Sequence, residues 1–152
     1  MKKILLRKVE IKDMPLLYKW ANDPIVRQNS FHSESISFEE HQKWFNEKLN
    51  NPNELIYILM INKETVGQVR LSRNQDKMLI SYSIASSYRG QGYGKLILKM
   101  IEAEIHDKNI KLIGRVKKDN VISQLIFKFL GYKEKEYDNY FEYTKVINEC
   151  KP

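Results

Sequence analysis

Hydrophobic residues along the chain follow two periods, which together predict an alternation of strands and helices. Three strand-like runs at residues 56–61, 66–73 and 78–84 are separated by short polar turns, which predicts an antiparallel meander. The first of these runs is apolar almost throughout, so we expect both faces of that strand to be covered. Two further strands are predicted at residues 4–9 and 112–116.

Apolar residues at helical spacing predict two helices before the meander. The first begins directly after Asp13, its predicted cap, and residues 22–24 end it. The second begins with a capping box at residues 37–40 and runs to about residue 50. We interpret the intervening residues 25–36 as irregular structure.

The pattern after the meander predicts two more helices and a final hairpin. One helix covers residues 95–105, and the other stops at Gly131, because glycine is common just past a helix end. The hairpin is predicted at residues 137–146, with its turn at residues 138–139. Since no repeat or linker interrupts the chain, we expect one domain over residues 1–152.

Composition narrows the class of protein. The chain has 152 residues, a formal net charge of +7 and 42% hydrophobic residues, which is typical of a globular domain. No apolar run approaches the roughly 20 residues of a membrane span, and the N-terminal apolar run is too short for a signal peptide. We therefore expect a cytoplasmic protein without a membrane partner.

The distribution of charged residues and the few cysteines and histidines argue against nucleic-acid-binding, disulfide-bonded and metal-binding proteins. Lysine and arginine are scattered rather than clustered, which argues against nucleic-acid binding and fits a polyanionic small ligand. Cys150 is the single cysteine, so no intrachain disulfide can form. The three histidines show no ligand spacing, so no metal site is predicted.

A glycine-rich stretch lies between the last meander strand and the following helix. It consists of Arg89, Gly90, Gln91, Gly92, Tyr93 and Gly94. The first N–H groups of a helix have no helical acceptor, and glycine allows an anion to approach them closely. The spacing fits neither the phosphate loop of nucleotide triphosphatases nor the dinucleotide fingerprint. It fits the pattern Arg/Gln-x-x-Gly-x-Gly/Ala.

A second motif follows the strand at residues 112–116. It combines Asn120, Ser123 and Phe127 with the pair Gly131-Tyr132. The two motifs and the order of elements resemble the GCN5-related N-acetyltransferase (GNAT) family over essentially the whole chain. The family's glycine loop holds the pyrophosphate of acetyl-coenzyme A (acetyl-CoA), the predicted cofactor.

The resemblance implies an α+β fold. Its expected form is a single mixed, mostly antiparallel sheet of six to seven strands, with about four helices on its two faces. A central pair of parallel strands is expected to splay apart and admit coenzyme A (CoA). The pantetheine arm would pair with backbone near Ile84, and an amide of Ile84 or Ala85 would polarise the thioester carbonyl. The implied cofactor-binding residues are Ile84, Ala85, Arg89, Gly90, Gln91, Gly92, Tyr93, Gly94, Lys95, Asn120 and Phe127.

Two features depart from the family's commonest pattern. Phe127 stands where many members have a tyrosine that protonates the departing thiolate, so Ser123 becomes the candidate acid. Residues 78–81 contain no glutamate to serve as the base. The base is left open among His41, His32, Glu34 and ordered water.

The first half of the chain sets the acceptor in this family. Residues 20–27 and 36–45 look similar to acetyltransferases of nucleotide-linked 4-amino sugars, although the first segment is shared with enzymes that acetylate ribosomal-protein N-termini. Arg27, Phe31 and His41 are the predicted acceptor-binding residues, with Arg27 facing a diphosphate. The alternatives are acetylation of a protein N-terminus and a non-catalytic acyl-CoA-binding domain. A monomer or a homodimer is expected.

Overall fold

The computed structural model describes residues 2–106 and 109–147, and Cys150 lies outside them. One seven-stranded sheet has the order β1-β2-β3-β4-β5-β7-β6. Its strands are β1 Ile4–Lys8, β2 Glu54–Ile61, β3 Glu64–Asn74, β4 Lys77–Ile84, β5 Ile110–Lys117, β6 Lys133–Glu136 and β7 Tyr140–Ile147. All neighbouring strands are antiparallel except the central pair β4 and β5. This confirms the predicted mixed sheet and the antiparallel meander of β2, β3 and β4.

Five helices cover the sheet. They are α1 Met14–Ala21, α2 Pro24–Asn29, α3 Phe38–Leu49, α4 Tyr93–Glu104 and α5 Val121–Phe129. Residues of α4 and α5, such as Ile97 and Phe127, are buried with one face of the sheet, while Phe45 of α3 packs with Ile56 and Ile58 on the other. Burial of these two apolar clusters on opposite faces of the sheet stabilises the fold.

The two central strands separate along their length. β4 pairs with β5 only where Lys77, Met78 and Leu79 meet residues 111–113. Beyond that point β4 stays on β3 as far as Ile84, and β5 stays on β7 to its end. The unpaired edges of the two strands therefore face each other across a wedge-shaped opening, the notch. The predicted splayed pair is confirmed.

Three local predictions were wrong. Residues 25–36 are not wholly irregular, because the Asp23 side chain accepts the N–H groups of Ile25 and Val26 and starts α2. The Asp13 carboxylate does not cap α1; it accepts two hydrogen bonds of 2.8 Å from Arg7. The final hairpin begins earlier than predicted, with β6 at Lys133–Glu136, while its turn lies at residues 138–139 as predicted.

Candidate functional site

A cavity of about 880 Å³ occupies the notch and is lined by residues on both faces of the sheet. Side chains alternate between the two faces of a strand, so neighbouring residues of β4 line different halves. Tyr82 lines the half beside α4 and α5, which we call the cofactor half. Ser81 and Ser83 line the half beside α1 to α3, the acceptor half. The whole glycine loop borders the cofactor half, apart from Gln91.

The glycine loop leaves the start of α4 open. Gly90 and Gly92 have φ angles of 76° and 85°, values that favour glycine. Gly92 is the N-cap of α4, and among the described residues no side chain caps its amides. The N–H groups of Tyr93, Gly94 and Lys95 are thus available to an anion, beside the positive end of the helix dipole. α4 begins two residues before the predicted position, which places these amides on the helix itself.

Two loop residues have structural contacts of their own. Arg89 donates from Nε to the carbonyl of Ile84 at 3.0 Å and pairs with Asp23 at 2.9 Å, so its side chain ties the loop to β4 and α2. The ammonium of Lys95 lies 3.8 Å from the ring centroid of Phe129. The side chains of Arg89 and Lys95 are therefore engaged within the protein. Of these two residues, only Lys95 keeps its predicted contact with the pyrophosphate, through its backbone N–H.

The two predicted carbonyl-polarising amides differ. The Ala85 N–H donates to the Val66 carbonyl at 2.8 Å, so it is occupied and the prediction for Ala85 was wrong. In an antiparallel pair, backbone groups alternate between facing the partner strand and facing away. The next pair, Gly67 with Ile84, therefore directs the Ile84 N–H away from β3 and towards the notch.

Ser123 is hydrogen-bonded to a tyrosine that the sequence analysis did not single out. Its hydroxyl lies 2.7 Å from the Tyr82 hydroxyl, and its N–H donates to the Asn120 side chain at 3.3 Å. Burial raises the pKa of Tyr82, which keeps this phenol protonated at neutral pH. Strand alternation within β4 was the available signal, because it directs Tyr82 to the face opposite Ser81.

Phe127 forms the floor of the cofactor half. It is buried, and its ring stacks on Tyr143 with centroids 5.4 Å apart. A Cβ at Gly114 would lie 2.5 Å from the Phe127 ring, so glycine on β5 makes room for it. The position that many relatives fill with a phenol is thus filled by a core ring, and Tyr82 supplies a phenol from β4 instead.

His41 lies in the wall of the acceptor half. The residue is 3% exposed and is surrounded by the rings of Tyr18, Trp44 and Phe45. Burial, and secondarily the charge of Arg70, lowers the pKa of His41, so the imidazole is neutral at pH 7. Its Nδ1 is buried without a partner among the described residues.

The other candidate bases are placed differently. His32 is exposed and borders the cavity. Glu34 is exposed and does not line the cavity; its carbonyl accepts a hydrogen bond from Arg27 at 3.2 Å. Among the three residues, only His41 is buried in the wall of the cavity.

Arg27 does not have the role that the sequence suggested. Its Nε donates to the Ala21 carbonyl at 2.7 Å, one Nη to the carbonyl of His32 at 2.7 Å, and the other to the Ser30 hydroxyl at 3.2 Å. These bonds shape the segment that follows α2 and leave the guanidinium already satisfied. The predicted diphosphate contact for Arg27 is therefore withdrawn. Phe31 borders the cavity at its mouth, 58% exposed, with its ring edge on Tyr140.

Arg70 is the cation that sequence reasoning missed. It lines the acceptor half from β3, opposite Ser81, whose hydroxyl it contacts at 3.2 Å. Its guanidinium carbon lies 5.0 Å from the centre of the Trp44 ring. Only the register between β3 and β4 and the packing of α3 bring these residues together.

The family model described as an acetyltransferase (GNAT) domain matches residues 3–133. The chain belongs to the GNAT family. GNAT proteins are N-acetyltransferases that use acetyl-CoA. The open amides of α4 and the notch fit this cofactor, because they offer an anion site and an unpaired strand edge side by side. No curated protein matched the sequence.

Solved structures share the fold at low sequence identity. A domain from Methanocaldococcus jannaschii is 24% identical, with a TM-score of 0.78 over 96% of this chain and 99% of that one. Spermidine N-acetyltransferase from Vibrio cholerae, in complex with CoA and spermine, is 16% identical, with a TM-score of 0.80 over 95% of each chain. RimL, a ribosomal L7/L12 α-N-protein acetyltransferase in complex with CoA, is also 16% identical, with a TM-score of 0.76 over 97% and 96%.

Neither a membrane-spanning helix nor a metal-binding cluster is found among the residues that the structure describes. No helix there has the length and apolar character needed to cross a membrane. No cluster of three or more His, Cys, Asp or Glu side chains is placed to hold a metal ion within residues 2–106 and 109–147.

Proposed function

We propose that this acetyltransferase modifies the primary amine of a nucleotide-linked 4-amino sugar. The observation that carries the proposal is the charge of the cavity wall. Among the described residues that line it, Glu40 is the only acid, whereas four arginines and a lysine are present. These five are Arg27, Arg70, Arg89, Lys95 and Arg115. An anionic acceptor suits this wall, whereas a polycationic acceptor such as a polyamine would be repelled by it.

The cofactor half supplies binding and an acid. Acetyl-CoA provides the thioester whose acetyl group is transferred. The amides at the start of α4 bind an anion, and the Ile84 N–H is directed to where a carbonyl oxygen gains charge. The two hydroxyls of Tyr82 and Ser123 are hydrogen-bonded, and with Tyr82 as the donor the Ser123 proton is free for a hydrogen bond to the leaving sulfur. Tyr82 is thus a positioning residue for Ser123.

The amine must lose a proton during the reaction. His41 is neutral at pH 7 and has an unpartnered Nδ1, so it is able to accept a proton directly or through ordered water. We retain His41 as the base candidate for these two reasons. His32 and Glu34 are both exposed, and Glu34 does not line the cavity.

The experiment is a comparison of acceptors. The full chain is incubated with acetyl-CoA and one of three amines: a UDP-4-amino-6-deoxy sugar, a peptide with a free N-terminus, or spermidine. Thiol release and the mass of the acetylated product are measured, with Ser123→Ala as the control for enzyme-dependent transfer. We expect the highest kcat/KM with the sugar nucleotide.

Other outcomes overturn the proposal in different ways. Preferential acetylation of the peptide would identify an N-terminal acetyltransferase, and preferential acetylation of spermidine would contradict the charge argument. Binding of acetyl-CoA without transfer to any amine would indicate a non-catalytic acyl-CoA-binding domain.

A further inference from the structure

Three buried polar side-chain atoms have no hydrogen-bond partner within the described part of the chain. They are His41 Nδ1, Gln68 Oε1 and Arg70 Nε. Buried polar groups in native proteins are nearly always bonded, so an unpartnered one needs an explanation. All three residues line the same cavity, and all three lie in its acceptor half. This clustering points to a polar ligand there.

Arg70 is the most informative of the three because it carries a charge. The acid that acts on it is Glu54, but that carboxylate is held by Lys48 at 2.9 Å and by the Ser72 hydroxyl at 2.6 Å. No ion pair to Arg70 forms among the described residues, and Arg27 adds repulsion. Arg70 is half-buried with its Nε fully enclosed, and a charge that is withdrawn from water is normally paired. An anion is the missing partner that this arrangement calls for.

The guanidinium of Arg70 is fixed before any ligand arrives. Trp44 packs against it, and the hydroxyl of Ser81 accepts from one Nη. A cation held in one rotamer loses little conformational entropy on binding, which is the condition for strong, oriented recognition. The planar fork of arginine suits the oxygens of a phosphate.

We propose that Arg70 binds a phosphate of the acceptor's nucleoside diphosphate, an inference that rests on the proposed function. Arg70 lies opposite Ser81, three residues before Ile84 on β4. At the rise of a β-strand, this separation is about 10 Å. A hexose and its first phosphate span a comparable length, so an amine near the Ile84 amide leaves the phosphate near Arg70.

The test measures binding of UDP by calorimetry to the full chain saturated with CoA. Saturation keeps UDP off the amides of α4. Arg70→Gln is expected to weaken UDP binding by about 10- to 100-fold, the effect of losing a hydrogen bond to a charged group. Arg70→Lys keeps the positive charge but lacks the planar guanidinium fork. Its affinity for UDP should therefore lie between the affinities of Arg70→Gln and the parent protein.

The matched control is Arg73→Gln. Arg73 lies on the same strand as Arg70 but does not line the cavity, and its Nε donates to the Gln75 carbonyl at 3.0 Å, so the substitution should change UDP affinity by less than about 3-fold. Uridine, which has no phosphate, should bind weakly and be insensitive to Arg70→Gln. Melting curves and CoA titrations of each variant show that the fold and the cofactor half are intact.

Failure of this inference is distinguishable from failure of the proposed function. If UDP does not bind the CoA-saturated protein, or binds Arg70→Gln as well as the parent protein, the phosphate site at Arg70 is refuted. If the amino sugar is acetylated with an unchanged KM by Arg70→Gln, the function stands and the site is refuted. If UDP binding depends on Arg70 but no amino sugar is acetylated, the site stands and the proposed acceptor is refuted.

Discussion

The two halves of the cavity are built from different parts of the polypeptide. The cofactor half presents backbone: the amides at the start of α4, the unpaired edge of β4 and the glycines that expose them. The acceptor half presents side chains from separate elements, including His41 of α3 and Arg70 of β3. A backbone-built site tolerates change in most side chains, whereas a side-chain-built site changes its ligand with one substitution. This difference explains how one fold serves many acceptors with one cofactor.

The largest effect is expected from Gly92→Val, which tests the backbone half. Apart from its two neighbours in the chain, no described residue has an atom within 4 Å of a Cβ built at Gly92. Gly92 lines the cavity, so valine would occupy the space of the bound anion. We expect the affinity for CoA, measured by calorimetry, to fall at least about 100-fold, since more than one charge-assisted hydrogen bond is lost.

Gly131→Val is the matched control for backbone strain. Gly131 has a similar φ of 89° and equally open surroundings, but it does not line the cavity. Both variants should lose similar stability, and only Gly92→Val should lose CoA affinity. Equal CoA affinities in the two variants would mean that the pyrophosphate does not bind at this helix start.

The next largest effect concerns Ser123, the candidate acid for the departing thiolate. Ser123→Ala should lower kcat about 10- to 1000-fold with little change in the KM for acetyl-CoA, as expected for a group that acts in the transition state. Tyr82→Phe should lower kcat about 10-fold, because Ser123 stays but loses its orienting hydrogen bond. Steady-state kinetics with a saturating acceptor measures both.

Tyr143→Phe is the control for removing a buried phenol. Its hydroxyl donates to Glu134 at 2.7 Å, outside the cavity, so kcat should be unchanged. Conservation of wild-type kcat in Ser123→Ala, with chemistry rate-limiting, would mean that the thiolate obtains its proton elsewhere. If Tyr82→Phe keeps the wild-type kcat while Ser123→Ala does not, Ser123 acts in the reaction without help from Tyr82.

A smaller effect, on stability, is expected from Arg27→Ala. The substitution removes hydrogen bonds to the carbonyls of Ala21 and His32, and should reduce the free energy of unfolding by about 2 kcal/mol. The corresponding change in Tm is roughly 4–8 °C for a chain of this size. Arg27→Lys retains the charge but not the fork, so it should not restore the parent Tm. If Arg27→Ala leaves the Tm unchanged and raises the KM for the acceptor, Arg27 binds the acceptor after all.

The sequence predicted the cofactor half better than the acceptor half, for a physical reason. Glycine spacing and a following helix are local features, so the open start of α4 was recognisable without the fold. The notch itself was expected from the resemblance to the GNAT family. The pairing of Arg70 with Ser81, in contrast, depends on the register of β3 and β4, which the hydrophobic pattern of two buried strands does not fix.

Three of the wrong predictions have a common cause. Arg27, Asp13 and Ala85 each had the right chemistry for the role assigned to them, but a neighbour in the fold already used it. Arg27 is taken by carbonyl groups, Asp13 by Arg7, and the Ala85 amide by Val66. Whether a polar group is free for function depends on tertiary contacts that composition and spacing do not contain.

The smallest expected effect is a pH dependence of stability due to His41, which tests the burial of the acceptor half. Burial and the charge of Arg70 lower the folded-state pKa of His41, so the unfolded chain binds a proton more readily than the folded chain. Above the unfolded pKa of about 6.5, both states are neutral and His41 adds no pH dependence. As the pH falls below that value, stability is lost until the folded-state pKa is reached. Urea unfolding between pH 7.5 and 5 should therefore show a decline in the free energy of unfolding, and His41→Gln should reduce that decline.

His32→Gln, at an exposed position, should leave the decline unchanged. The Asp13 carboxylate does not interfere, because the hydrogen bond from Arg7 lowers its pKa and moves its contribution to more acid pH. An identical decline in His41→Gln and the parent protein would show that the imidazole is solvated, and that the acceptor half is more open than the packing of α3 indicates.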